Sequence, residues 1–332
     1  MKQCATFALA ALALAGVQAF AAEPLVVVGP YKHLAMWKDD SHAIAAAPDG
    51  MRQRYIAEGR NAFGPGVLSW AFATGECGAE KWGDEDAQAV ADANVAAFEQ
   101  AGAGYIISTG GQGGVFTCAS DAGMERFIAR YASSRLVGID FDIEAGQSAA
   151  QVDAIARRIK VAQKKHPQLR FSFTIATHAA SDGSMRSLNR EGEAILRAVR
   201  RHGLRGIVFN LMVMDYGDGK PAFCVVKDGV CDMGRSAIQA ARNVNARYRI
   251  PFSQIELTPM IGVNDVVSNV FTLDDARMVA GAVRELKLAG LHYWSLDRDT
   301  PCGAPVSGAS PTCSTLDVKS GEYRRAFARA MP

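Results

Sequence analysis

The chain has 332 residues, of which 49% are hydrophobic and 21% are charged; this is the composition of a packed globular protein, which excludes a disordered or fibrous chain. Its 36 basic and 34 acidic side chains leave a formal net charge of +2. So small an excess cannot neutralise many phosphates, and we therefore expect no nucleic-acid partner.

Residues 1–22 have the pattern of a secretory signal peptide. A cationic start, Met1-Lys2, is followed by an apolar run over residues 5–17 and then by Ala19-Phe20-Ala21, a small-residue cleavage pattern. The apolar run is too short to cross a bilayer as a helix. The alternative interpretation is a buried N-terminal helix. We predict that residues 23–332 are exported, to the periplasm or the extracellular medium, and contain no membrane span.

Short apolar runs alternate with amphipathic stretches along the rest of the chain. The eight predicted strands are Leu25–Val28, Val67–Ala73, Tyr105–Ser108, Leu136–Ile143, Phe171–Ala176, Gly206–Met214, Ile255–Ile261 and Gly290–Leu296. The predicted helices between them are Asp84–Gln100, Ala149–Lys165, Arg186–His202, Gly234–Arg247 and Thr272–Leu288. Eight strand–helix units predict an α/β fold, a closed (β/α)8 TIM barrel that forms one domain over residues 23–332. The alternative is a doubly wound open sheet, for which the sequence has no G-x-G-x-x-G between a strand and a helix.

The fourth predicted strand alternates apolar and acidic side chains. Val137, Ile139, Phe141 and Ile143 share one face, and Asp140, Asp142 and Glu144 share the other. The acidic face of a barrel strand is the interior, where each carboxylate must be paired or protonated. Because neighbouring negative charges raise carboxyl pKa values, at least one of the three should keep its proton. A protonated acid beside an ionised carboxylate is what glycosidic cleavage needs; the alternative is an exposed edge strand with a solvated acidic face.

This strand resembles the D-G-x-D-x-D-x-E signature of glycoside hydrolase family 18, the chitinases and their relatives. Gly138, Asp140, Asp142 and Glu144 match the signature, whereas Val137 replaces its first aspartate. The resemblance implies that Glu144 is the general acid/base and that Asp142 orients the acetamido group of the substrate. It also implies that Asp140 tunes Asp142 from below.

Other blocks resemble the family in the same order along the chain. Ser108-Thr109-Gly110-Gly111 is similar to the S-x-G-G element, although an ordinary Gly-rich loop would look the same. Residues 212–217, Met-Val-Met-Asp-Tyr-Gly, resemble a variant of the M-x-Y-D element; the alternative is a core methionine stripe and a turn aspartate. The block at 212–217 implies Asp215 and Met212 as site residues, with Tyr216 as the hydroxyl that steadies the intermediate. Residues 258–265, after the seventh strand, also resemble the bacterial group and contain Met260, taken as a substrate-binding residue. In the eighth strand, residues 290–297, Trp294 matches the family tryptophan that packs against the sugar.

Six cysteines remain once Cys4 leaves with the signal peptide, and an even number in an exported chain predicts disulfides. Cys224 and Cys231 flank an Asp-Gly turn, and Cys302 and Cys313 bracket a loop rich in Gly, Pro and Ser. Cys77 would then pair with Cys118, although the number of cysteines allows other connectivities. No C-x-x-C pair is present, which argues against a zinc or redox centre.

The resemblance implies a secreted, monomeric chitinase that hydrolyses β-1,4-linked N-acetylglucosamine with retention, through the substrate's own acetamido group and without a metal or organic cofactor. Its partners would be chitin or N-acetylglucosamine oligosaccharides. Three alternatives remain open. They are an endo-β-N-acetylglucosaminidase acting on glycans or peptidoglycan, a catalytically silent chitin-binding lectin or inhibitor on the same barrel, and an unrelated barrel hydrolase. The presence of Glu144 argues against the lectin, because silent relatives usually lose the acid.

Overall fold

The computed structural model describes residues 26–34, 41–47, 51–144 and 146–331. The predicted signal peptide lies outside these ranges, so its prediction stays untested. Within the described ranges, no helix is both long and apolar enough to cross a membrane.

Eight parallel strands form a closed barrel. They are β1 (Val27–His33), β2 (Leu68–Ala73), β3 (Tyr105–Gly110), β4 (Leu136–Asp142), β5 (Arg170–Ala176), β6 (Val208–Met212), β7 (Ile255–Thr258) and β8 (Gly290–Tyr293). Each strand pairs with its neighbours in sequence, and β1 closes the barrel by pairing with both β8 and β2. The predicted TIM barrel is confirmed, and the open-sheet alternative is wrong.

Seven α-helices follow the strands and cover the barrel within the residues that the structure describes. They are α1 (Ala87–Gln100), α2 (Asp121–Arg130), α3 (Ala149–Lys165), α4 (Arg190–Arg201), α5 (Met233–Tyr248), α6 (Leu273–Leu286) and α7 (Glu322–Phe327). Capping boxes start α3 and α6: Ser148 bonds reciprocally with Gln151, and Thr272 with Asp275. The sequence predicts five of these helices to within a few residues and misses α2 and α7, which are the two shortest.

The connection from β1 to β2 contains no helix of four or more residues among the parts that the structure describes. Two short antiparallel ladders stand there instead, Ala45–Ala46 with Gln53–Arg54 and Ile56–Ala57 with Arg60–Asn61. Further two-residue ladders occur in the loops that follow β2, β3, β6 and β7. The loops at the carboxyl ends of the strands are therefore partly ordered by their own hydrogen bonds.

Strand β4 places its two faces as the sequence predicts. Ile139, Phe141 and Ile143 are buried in the hydrophobic core between sheet and helices, while Asp140 and Asp142 are buried on the opposite face, 2% and 3% exposed. The edge-strand alternative is excluded, because β4 pairs with β3 on one side and with β5 on the other. The interior of the barrel therefore contains buried carboxyl groups.

Three disulfides join loops on the face where the strands end. They connect Cys77 to Cys118, Cys224 to Cys231 and Cys302 to Cys313, the pairs that the cysteine spacing suggests. The first links the loops after β2 and β3, and the other two close loops after β6 and β8. All three therefore brace the end of the barrel at which active sites of this fold lie.

Candidate active site

A cavity of about 290 Å³ lies at the carboxyl ends of the barrel strands. Six of the eight predicted catalytic and substrate-binding residues line it: Asp142, Glu144, Asp215, Met212, Met260 and Trp294. The structure thus brings together side chains from β4, from the loops after β6 and β7 and from the end of β8. Asp140 and Tyr216 are not among the lining residues.

Asp140 lies beneath the cavity and accepts hydrogen bonds from four hydroxyl groups. Ser108 (2.7 Å) and Tyr31 (3.0 Å) donate to Oδ2, and Ser172 (2.7 Å) donates to Oδ1. Thr174 lies 2.9 Å from Oδ1 and 3.0 Å from Oδ2. Burial raises the pKa of Asp140, but these hydroxyl groups act in the opposite direction because they stabilise the carboxylate.

Asp142 lies one step nearer the cavity on the same face of β4, without such support. Its Oδ1 atom is buried and has no hydrogen-bond partner among the described residues. Burial raises the pKa of Asp142 well above its ordinary value, and the neighbouring Glu144 and Asp140 raise it further. The prediction that a carboxyl group here keeps a proton is therefore supported, although burial contributes more than the like charges on which the prediction rested.

Glu144, directly after β4, is only partly buried and shares the cavity with two further carboxyl groups, Asp215 and Asp265. Burial raises the pKa of Glu144, and the negative charges of Asp215 and Asp265 raise it further. Burial likewise raises the pKa of Asp215, which accepts a 2.8 Å hydrogen bond from the Val266 backbone N–H. A glutamic acid whose pKa is raised in this way is better suited to act as a general acid than an exposed one.

Two glycines of the predicted motifs are required by close backbone contacts. A Cβ atom on Gly110 would lie 2.1 Å from the Asp142 carbonyl oxygen, and Gly110 has a left-handed φ of 87°. A Cβ on Gly138 would lie 2.3 Å from the Arg170 carbonyl oxygen. Gly111 donates its N–H to that same Asp142 carbonyl (3.1 Å). The S-x-G-G block is therefore not an ordinary loop, because it fixes the backbone of the acidic strand.

Trp294 lies at the end of β8 with its indole ring half-buried and lining the cavity. Phe72, at the corresponding end of β2, stacks on it with ring centroids 5.7 Å apart and planes 13° from parallel. Tyr31 and His33 of β1 contact the same indole at centroid distances of 6.4 and 6.0 Å. The tryptophan is thus held by neighbouring rings while its remaining surface faces the cavity.

Tyr216 does not occupy the place that the resemblance implies. Its side chain is 4% exposed, and its hydroxyl makes no hydrogen bond within the described part of the chain. The chain turns at Asp215, which has a left-handed φ of 50°, and the Tyr216 N–H is held by Asn269 Oδ1 at 2.8 Å. This turn directs the ring into the core, where burial raises the pKa of its hydroxyl. Tyr216 therefore lies outside the cavity lining, and its predicted role in steadying an intermediate stays a prediction.

Several cavity residues carry no signal that a motif search would find. Tyr31, Phe72 and Thr174 belong to strands whose sequences look like ordinary barrel strands, and His178 and Asn189 lie in the long connection after β5. Gln112, Met214, Thr258 and Asp265 lie within or beside blocks that the sequence singles out. Of the cavity residues that the sequence analysis misses, Tyr31 matters most, because its hydroxyl donates a hydrogen bond to Asp140.

Among the residues that the structure describes, no three His, Cys, Asp or Glu side chains are grouped as metal ligands. Four carboxyl groups line the cavity instead, those of Asp142, Glu144, Asp215 and Asp265, and burial raises the pKa values of the first three.

Comparison with known proteins finds two relatives that are 28% identical to this chain. One is a probable bifunctional chitinase/lysozyme of Escherichia coli strain K12, matched over 228 residues, which are 64% of this chain and 25% of that protein. The other is endochitinase 11 of Metarhizium anisopliae, matched over 222 residues, 62% of this chain and 42% of that protein. The matches thus span less than half of either relative. No family model matches the chain.

Among solved structures, the catalytic domain of a hyperthermophilic chitinase from Pyrococcus furiosus is similar, with a TM-score of 0.70 and 24% identity. The match covers 92% of this chain and 95% of that domain. The fold is therefore that of a chitinase barrel along almost all of the chain. The resemblance to the family 18 chitinases that the motifs indicate is confirmed by sequence relatives and by fold.

Proposed function

We propose that this protein is a secreted glycoside hydrolase that cleaves β-1,4-linked N-acetylglucosamine polymers such as chitin, with retention of configuration. The observation that carries the proposal is that Asp142 and Glu144, consecutive acidic positions of one strand, share a single cavity with Trp294. The chitinase relatives support the substrate class, and the three disulfides support an oxidising compartment.

The chemistry follows from the two carboxyl groups. Glu144, whose pKa is raised by burial and by neighbouring negative charges, donates its proton to the glycosidic oxygen as the bond to C1 breaks. The carbonyl oxygen of the substrate's acetamido group attacks C1, so that no protein carboxylate needs to act as the nucleophile. The resulting oxazolinium ion is positively charged. Glu144, now ionised, then removes a proton from water, which opens the ion from the opposite face and restores the original configuration.

Asp142 and Trp294 hold the reacting sugar in this scheme. The buried, unpartnered Oδ1 of Asp142 accepts the acetamido N–H, because buried polar atoms rarely remain without a partner. When the proton shared by these acids is on Glu144, Asp142 is ionised, and its charge offsets the oxazolinium charge across a short distance in a water-poor site. Trp294 presents its indole to the apolar face of the pyranose ring.

Substrate profiling tests the proposal. The purified protein should hydrolyse N-acetylglucosamine oligomers but neither cellulose nor fully deacetylated chitosan, because both lack the acetamido group. Glu144→Gln keeps the shape of the side chain without its proton, and should bind the oligomer with nearly unchanged affinity while hydrolysis is lost. Hydrolysis of cellulose, or full activity of Glu144→Gln, would contradict the proposal. N-terminal sequencing of the exported protein, expected to start near Ala22 or Glu23, tests secretion.

A second candidate, hydrolysis of peptidoglycan, is favoured by one observation, the chitinase/lysozyme name of the Escherichia coli relative. Peptidoglycan also contains N-acetylglucosamine, so the same acetamido chemistry applies to its cleavage. Release of reducing ends from purified peptidoglycan, measured beside chitin oligomers at equal enzyme concentration, separates the two candidates.

A further inference from the structure

A buried polar network continues below Asp140, and Asn210 of β6 stands at its centre. The Asn210 side chain is 1% exposed, and its amide nitrogen lies 2.8 Å from the Tyr31 hydroxyl and 2.9 Å from the Thr174 hydroxyl. Its carbonyl oxygen accepts a 2.7 Å hydrogen bond from the Thr258 hydroxyl. All hydrogen-bonding groups of the amide are therefore engaged.

The amide determines which way the hydroxyl hydrogens point. An amide NH2 group can only donate, so Tyr31 and Thr174 each accept one hydrogen bond from Asn210. Both hydroxyls also lie within 3.0 Å of Asp140. The two hydroxyl oxygens also lie 3.0 Å apart, so one hydroxyl can donate to the other. With their acceptor sites facing Asn210, at least one of their hydrogens is then left for the Asp140 oxygens. If the amide were reversed, its carbonyl oxygen would take these hydrogens from Asp140. In the observed orientation the carbonyl oxygen instead accepts its hydrogen bond from the Thr258 hydroxyl.

The geometry points to Asn210 as a positioning residue that acts on Asp140 through Tyr31 and Thr174. By directing hydroxyl hydrogens to Asp140, it keeps that carboxyl group ionised, so that the proton held by the acidic side chains is shared by Asp142 and Glu144. This inference rests on the proposed function, since it concerns the same acids. Asn210 touches neither the cavity nor a reacting atom, because it is not among the lining residues.

The charged groups around Asp140 are consistent with an ionised Asp140 and a proton shared by Asp142 and Glu144. Six described titratable or charged groups belong to Asp140's surroundings. They come from β1, β4, β5, β7 and β8 and from the loop after β4, and they are Tyr31, Asp142, Glu144, Arg170, Glu256 and His292. Glu256 is compensated by Arg170 and His292. Burial raises the pKa of the Tyr31 hydroxyl well above its ordinary value, so it remains a donor. Burial raises the pKa of both aspartates, but hydroxyl groups oppose the rise at Asp140, whereas the negative charges of Glu144 and Asp140 add to it at Asp142.

The decisive variant is Asn210→Asp, which replaces the donor by an acceptor of the same shape. Its carboxylate competes for the Tyr31 and Thr174 hydrogens, so Asp140 loses stabilisation as an anion. We expect the acidic limb of the kcat/KM profile on an N-acetylglucosamine oligomer to move upward by about 1 pH unit, the change that one lost charge-assisted hydrogen bond produces. Thr258→Val removes the hydroxyl that donates to the Asn210 carbonyl oxygen and should move the limb in the same direction by less; because Thr258 also lines the cavity, KM is measured beside the pH profile.

The control is Asn94→Asp, the same change at another buried asparagine, 3% exposed and located in α1. It should lower Tm without moving the pH profile. If Asn210→Asp and Thr258→Val also lower Tm and leave the acidic limb in place, Asn210 is structural and the inference is wrong. Should Asn210→Asp fail to fold, Thr258→Val decides in the same way.

A carboxyl titration separates this inference from the proposed function. In protein with 13C-labelled aspartate carboxyl groups, the Asp140 signal, assigned by its loss in Asp140→Asn, should titrate at higher pH in Asn210→Asp than in the wild type. This readout needs no turnover. A wild type without hydrolytic activity would refute the function alone, whereas an unchanged Asp140 titration would refute the role of Asn210 alone.

Discussion

The Phe72 and Trp294 rings stack across the cavity end of the barrel, with centroids 5.7 Å apart and planes 13° from parallel. The strands that carry them lie on either side of β1, so both rings belong to one wall. The peptide bonds Ala71–Phe72 and Trp294–Ser295 are both cis. This wall faces the cavity that also contains Asp142 and Glu144.

Trp294→Ala should impair turnover more than folding. The half-exposed indole supplies the surface for the sugar ring, and its loss should lower kcat/KM by roughly 100-fold, since a stacking contact is worth about 1–3 kcal/mol by analogy with base stacking. Trp82→Ala is the matched control, because Trp82 is 1% exposed and remote from the cavity. That truncation should cost about 3–5 kcal/mol of unfolding free energy with near-normal activity at low temperature. The reverse pattern would show that Trp294 is a core residue.

Asp215→Asn should move the alkaline limb of the kcat profile to lower pH. The Asp215 charge contributes to the raised pKa of Glu144, and activity is lost as pH rises through that pKa because Glu144 then has no proton to donate. Removing the charge lowers the pKa, by about 0.5–1 unit for a neighbouring carboxylate in a partly solvated site. Asp265→Asn should shift the limb in the same direction. An unmoved alkaline limb in both variants would mean that Glu144 is not the acid.

The buried carboxyl group of Glu256 should make the free energy of unfolding depend on pH in the acid range. Burial opposes its ionisation, but Arg170 and His292 more than offset this and lower the pKa from 4.5 to about 2. The stabilisation is therefore present above about pH 4.5 and is lost as pH falls towards 2. Glu256→Gln should lower the unfolding free energy by about 3 kcal/mol at pH 7. Urea titrations at pH 7, 4 and 3 should show the difference narrowing; a difference that does not change with pH would refute this role.

The disulfides Cys77–Cys118 and Cys224–Cys231 should contribute unequally to the free energy of unfolding. Cys77–Cys118 closes a loop with a sequence separation of 41, whereas Cys224–Cys231 spans only 7. Loop-closure entropy predicts losses of about 4 and about 2.5 kcal/mol when each pair is replaced by serine. Denaturant unfolding of the two double variants measures this. Free thiols in non-reducing peptide maps of the exported protein would show instead that the bonds do not form.

The barrel and the acidic strand were accessible from sequence because their signals are local. The period-two pattern of β4 assigns Asp140 and Asp142 to the interior without knowledge of any other strand. The pairing of Cys224 with Cys231 is likewise determined by a turn of a few residues. Short helices such as α2 lack the length over which periodicity becomes clear.

The rest of the site depends on contacts that sequence does not encode locally. Tyr31 and Asn210 approach Asp140 from strands 109 and about 70 positions away in sequence, and only barrel closure brings them together. Tyr216 lies in a block that the motif identifies, but the chain turns at the left-handed Asp215 and the Tyr216 ring is in the core, outside the cavity lining. A motif therefore identifies the block, and the backbone decides which of its side chains reaches the cavity.

The central claim is that the substrate's acetamido group is the nucleophile and that Glu144 supplies and later recovers the proton. Proton NMR of the freshly formed product from an N-acetylglucosamine oligomer tests it most directly, because anomer signals are resolved before mutarotation. Two displacements at C1 predict that the β-anomer appears first, and that no product appears with Glu144→Gln. A product that is initially the α-anomer would demonstrate inversion and would contradict the account.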